Sequence, residues 1–192
     1  MKLQDLCKNI YKKKTLTDYI IYVSILIAGI VIDQLTKWLV VENMYMYEHI
    51  PVIRIGDTVI ASLFRTINKG AAFGMLGNAP WVFNTISTIA IIAMLAYLFL
   101  GHAESRLTGI ALSMLISGGI GNMIDRISLH YVVDFIYFDI IDFAVFNGAD
   151  SFVCVGAGLL VLALILEMKE EMKKEKLAKE EAAHAISEDE EA

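Results

Sequence analysis

Two short segments of this chain carry the same pair of side chains at the same spacing. Gly121-Asn122-Met-Ile-Asp125-Arg126 and Phe146-Asn147-Gly-Ala-Asp150-Ser151 each set an amide three residues before a carboxylate. On a helix that spacing puts both groups on one face. Each segment borders a long apolar stretch, where a carboxylate is costly and is kept for a task. Two carboxylates brought together do not both ionise readily, so they share a proton and titrate as a pair. One can take a proton from water while the protonated partner polarises a carbonyl, which is aspartic-protease chemistry. Asn122 and Asn147 would orient the carboxylates or hold a substrate backbone. Spacing alone leaves two other readings open. Asp150 could cap a helix start, where the dipole favours it, with Asp125 paired to Arg126. The same groups could also line a proton or ion path through a small channel or carrier.

Other polar residues fall near these segments in the pattern. Asp33 and Lys37 are four apart, a spacing that lets them pair on one helix face, either as a self-neutralised pair or as the rim of a site. Asn68-Lys-Gly70-Ala-Ala-Phe-Gly74 is a small-residue segment in which Gly70 permits a tight turn and Asn68 offers a donor and an acceptor. Asp134 is assigned to stabilising a loop rather than to reaction. Gly118, Gly119, Gly156 and Gly158 suit close helix packing. His102 and His130 lack the spacing of a metal site, and neither metal nor cofactor is expected.

The elements that must position these groups follow from composition. Of the 192 residues, 57% are hydrophobic, above the roughly 45–50% of soluble domains. Five of the 16 Lys and Arg lie between Lys2 and Lys14 and five between Lys169 and Lys179, while ten of the 22 Asp and Glu lie between Glu167 and Glu191. The sparsely charged middle excludes a soluble enzyme and a disordered chain. The net charge of −6 arises in the tail and gives no reason to expect a nucleic acid. A hydrocarbon core about 30 Å thick needs roughly 20 apolar residues per helix. Four spans are expected, at about 19–41, 81–101, 106–127 and 145–167. The clusters of Lys and Arg put both termini in the cytoplasm. Asp125 lies 19 residues past Arg106, and Asp150 lies 17 before Glu167. At 1.5 Å per residue both arrive about 26–28 Å from the inner surface, so the two antiparallel helices bring them to one level near the outer face. In the outer loop, about 44–70, two β-branched runs flank Gly56-Asp57 and predict a hairpin. Residues 1–168 thus form a single four-span domain, and 169–192 a charged, solvated tail.

In order, Asp33-Gln34-Leu-Thr-Lys37, Asn68 to Gly74, Gly118 to Arg126, Val132-Val-Asp134-Phe135 and Phe146 to Ser151 together resemble the bacterial lipoprotein signal peptidase family, signal peptidase II, over roughly residues 15–168. The resemblance implies an all-α integral membrane fold, a four-transmembrane-helix bundle with a small extracytoplasmic β-hairpin or sheet, in the bacterial inner membrane. It implies a metal-free aspartic endopeptidase that cuts a prolipoprotein before its diacylglyceryl-modified cysteine and is inhibited by globomycin. The family's catalytic pair is carried onto Asp125 and Asp150, with Asn122, Asn147, Asn68, Gly70, Arg126, Asp33 and Lys37 in support. A monomer surrounded by membrane lipids is expected. Intramembrane proteases of the presenilin kind need Gly-x-Gly-Asp, whereas Gly119-Ile-Gly121 here precedes Asn122.

Overall fold

The computed structural model of the chain describes residues 14–69, 80–101, 103 and 105–191. Helix α1 spans Leu16–Asn43, strands β1 and β2 span His49–Ile55 and Thr58–Asn68, and α2 spans Pro80–Phe99. Helix α3 (Arg106–Ser128), strand β3 (Val132–Phe138) and α4 (Gly148–Glu191) complete the chain. By length and composition α1, α3 and Gly148–Leu177 of α4 could each cross a membrane, and α2 is apolar over Asn84–Phe99.

The bundle is turned inside out relative to a soluble protein. Large apolar side chains face outward, among them Ile27, Val31, Leu35 and Trp38 on α1 and Val155, Val161 and Leu162 on α4. Ser113, Ser117, Asn122 and Asp125 of α3 are buried instead. An apolar exterior on this scale needs an apolar surrounding. Helix α3 occupies the centre, against α1, α2 and α4. At the end remote from the sheet, Tyr22, Leu98, Leu112 and Ile116 form an apolar core. Polar ties close the same end: Arg106 pairs with Asp18 at 2.6 Å, and the Thr108 hydroxyl donates to Glu167 at 2.6 Å.

Close approach of the helices depends on small residues of α3. A side chain at Gly118 would run into the Ala149 carbonyl oxygen and a Val153 methyl at the start of α4. Gly118→Val should therefore separate α3 from α4 and cost about 1–3 kcal/mol, the usual range for overpacking. Thermal unfolding in detergent checks this, with Gly158→Val, where the space is open, as control.

The hairpin forms where the β-branched runs predicted it, with Gly56 at φ +59° in the turn, a conformation glycine adopts without steric cost. Its partner β3 was not foreseen. The sheet is antiparallel in the order β1-β2-β3, so a strand between α3 and α4 pairs with one that precedes α2. Between Leu63↔Ile136 and Thr66↔Asp134 the β2–β3 register shifts by one residue, a bulge on β2. The charged tail continues α4 as helix to Glu191. Lys, Glu and Ala are strong helix formers, and pairs such as Glu175–Lys179, at 2.7 Å, add i,i+4 support.

Candidate active site

The site is assembled where α1, the end of α3, β3 and the start of α4 meet. Asp33 of α1 is fully buried. Its Oδ1 accepts from the Ala149 backbone N–H at 2.8 Å, satisfying one of the unpaired donors at the start of α4. Its Oδ2 pairs with Lys37 Nζ at 2.9 Å. Gly121 permits this approach, since a Cβ there would stand 2.5 Å from Asp33 Oδ2. Lys37 is 3% exposed and its ammonium has three acceptors: Asp33, Asp125 at 3.1 Å and Asn122 Oδ1 at 3.0 Å. The Asp33–Lys37 spacing read from sequence is thus a pair, but a three-way one that reaches into α3.

Asp150 opens α4 within a reciprocal cap. Its N–H donates to Asn147 Oδ1 at 3.0 Å, and its Oδ2 accepts from the Asn147 N–H at 3.2 Å. This is capping-box geometry with the carboxylate at its third helical position, which also favours its negative charge. Asp150 Oδ1 accepts from Asn122 Nδ2 at 2.8 Å. Asn147 and Asp33 thus tie this helix start from both sides.

Asp134, on β3, joins the same group. It is 3% exposed, and Asn147 Nδ2 donates to its Oδ1 at 2.7 Å. Burial, and then the Asp150 charge, push its carboxyl up to about 6, against hydrogen bonds from Asn68 and Asn147 and the Lys37 charge. Asp125 is held otherwise. Besides Lys37 it accepts from Gln34 Nε2 at 3.0 Å and from the Val133 N–H at 3.1 Å. Arg126 lies where its charge acts on Asp150, Asp134 and Asp125. The amide–carboxylate motifs therefore converge, together with Asp33, Lys37 and Asn68, while Gly70 lies outside the described residues.

Sequence reasoning undervalued Asp134 and passed over Gln34. The signal for Asp134 was an acid inside the run Val132-Val-Asp-Phe-Ile-Tyr-Phe, where a strand would bury it on one face. The like charge of Asp150 can be tested directly. Asp150→Asn should lower the Asp134 pKa from about 6 toward the ordinary carboxylate range, because a like charge disfavours ionisation. Carbon-13 titration of the carboxyl groups would show it, and an unmoved value would leave burial as the sole cause.

The sequence profile described as Signal peptidase (SPase) II matches residues 25–166. A lipoprotein signal peptidase of Halalkalibacterium halodurans is 41% identical over 160 residues, covering 82% of this chain and 99% of that protein. One of Bacillus subtilis is 40% identical over 157 residues, covering 81% and 99%. A bacterial membrane enzyme solved by the in meso method superposes with a TM-score of 0.69 at 31% identity, covering 84% of this chain and 95% of that one. A second such structure gives 0.65 at 32% identity, covering 81% and 97%.

Proposed function

Since the chain belongs to the signal peptidase II family, we propose that it is an aspartic endopeptidase that removes signal peptides from prolipoproteins, cutting before the diacylglyceryl-modified cysteine. Asp150 is one reacting carboxylate, as its motif predicted. For the other, the contacts favour Asp134 over Asp125. Asp125 is committed to Lys37, Gln34 and a backbone N–H. Asp134 and Asp150 are instead held by one residue, Asn147, and that shared support carries the reading.

The chemistry follows from the unequal surroundings of the pair. Asp134 keeps the shared proton and donates to the scissile carbonyl oxygen. The Asp150 carboxylate takes a proton from water as the water oxygen bonds to the carbonyl carbon. Asp150 then returns its proton to the peptide nitrogen as the C–N bond breaks, and Asp134 recovers its own from the diol hydroxyl. The products are a signal peptide with a free carboxylate and a lipoprotein with a free amino group on its modified cysteine.

The proposal includes four spans with both termini cytoplasmic, α2 being the fourth, in the bacterial inner membrane. The clusters of Lys and Arg at both ends support that direction. The site then lies near the outer face beside the sheet, and 1–168 form one domain with 169–192 as a cytoplasmic tail. We extend the proposal to a monomer inhibited by globomycin. The test is cleavage of purified, diacylglyceryl-modified prolipoprotein by the detergent-solubilised chain beside its Asp134→Asn and Asp150→Asn variants. Cleavage by the parent alone is expected. A folded parent that cuts nothing overturns the reading, and ion flux in liposomes would then favour the channel or carrier alternative.

A further inference from the structure

A peptidase that uses an aspartate on a short strand must fix that strand's register. Side chains alternate across a sheet, so a one-residue slip of β3 would send Asp134 to the opposite face. The sheet does not secure this alone, because the register shift between β2 and β3 falls beside the Thr66↔Asp134 pair. Up to Leu63 the ladder follows one alignment with β3, and from Thr66 onward another. A bulge of this kind re-aims side chains but leaves the local ladder disrupted.

Backbone bonds between Ile136 and Phe146 hold β3 two residues further on, and at Val133 itself two side chains from outside the sheet add to the hold. Asp125 Oδ2 accepts from the Val133 N–H at 3.1 Å, and Asn147 Nδ2 donates to the Val133 carbonyl at 3.3 Å. The residue preceding Asp134 is thus held at both its backbone polar groups, from α3 on one side and from the cap of α4 on the other. Asp125 is itself fixed from α1. Lys37 pairs with Oδ2 at 3.1 Å, and Gln34 Nε2 reaches Oδ1 at 3.0 Å and the Gly121 carbonyl, one turn earlier, at 3.1 Å. At 3% exposure, Asp125 has its oxygens occupied by donors with structural tasks.

We propose that Asp125, held by Gln34 and Lys37, is a positioning residue that locks the register of β3 at Val133 and so sets Asp134 against Asp150. The proposal rests on Asp134 and Asp150 being the reacting pair. It assigns Gln34, present in the first motif without a role of its own, to the same device.

The experiment measures kcat and KM for prolipoprotein cleavage by Asp125→Asn, Gln34→Leu, Asp134→Asn and Asp150→Asn, each in the full chain. It adds hydrogen exchange of the Val133 amide. Loss of a supporting hydrogen bond to a site costs about 10–100-fold. Asp125→Asn should lower kcat by that order, with KM nearly unchanged, because the substrate's binding surface is untouched. Gln34→Leu should show a smaller loss of the same kind, and both should speed exchange at Val133. The double variant should lose less than the product of the two, since both act on one chain of contacts. A folded Asp125→Asn enzyme as inert as Asp150→Asn overturns the proposal and makes Asp125 a reacting group. Parental kcat in Asp125→Asn overturns it also. Should Asp125→Asn fail to fold, Gln34→Leu decides alone, and parental kcat there refutes the lock. Cleavage by Asp134→Asn would instead sink the reading of the pair, whatever Asp125 does.

Discussion

Asp150→Asn should abolish cleavage while the protein remains folded. The substitution keeps the volume of the side chain and an oxygen that can accept from the Asn147 N–H, so the start of α4 retains most of its cap. What it removes is the negative charge that, in the proposed mechanism, takes a proton from water. Loss of a reacting group of this kind costs about 10⁴-fold or more in kcat, well beyond the effect expected at any supporting position. The measurement is single-turnover cleavage of diacylglyceryl-modified prolipoprotein, with thermal unfolding in the same detergent as the control for folding. A folded variant retaining a tenth of the parental rate would exclude Asp150 from the chemistry.

Lys37→Met should have the largest effect on stability. The ammonium is the cation shared by Asp33 and Asp125, both nearly inaccessible. Methionine fills similar space but removes the charge that both carboxylates pair with. Breaking a buried ion pair by removing one partner costs about 3–5 kcal/mol. The variant is expected to unfold at markedly lower temperature and to lose turnover with it. Lys37→Arg keeps the charge and should fall between the two. A Lys37→Met protein as stable as the parent would show that the charge balance lies elsewhere.

Much of this arrangement was legible before any coordinates. Asn122, Asp125, Asn147 and Asp150 stood out because their spacing repeats beside apolar stretches, and the Gly56-Asp57 turn marked the hairpin. The role of Asp134 was not legible, because a single acid in an apolar run looks the same whether it steadies a loop or reacts. Its meaning depends on β3 pairing with Asn68 at the far end of β2, a contact between residues 64 positions apart that no local pattern encodes. On the proposed pairing, the supporting place of Asp125 was illegible for a related reason. Depth arithmetic put it level with Asp150, but depth carries no information about which neighbour claims an oxygen. Lys37, Gln34 and the Val133 N–H claim those oxygens, and each comes from another part of the chain.

The order of the strands has a consequence for how the protein is made. Synthesis delivers α1, β1 and β2 first, then α2 and α3, and only then β3 and the cap of α4. The hairpin must therefore wait for its third strand while α2 and α3 are made, with its pairing edge open in the meantime. Asn68 and Asn122 are made early, but the shared support of Asp134 and Asp150 waits for Asn147. On the proposed pairing, a nascent chain cannot cleave while it is being inserted, and catalytic competence arrives in a single late step, when α4 takes its place.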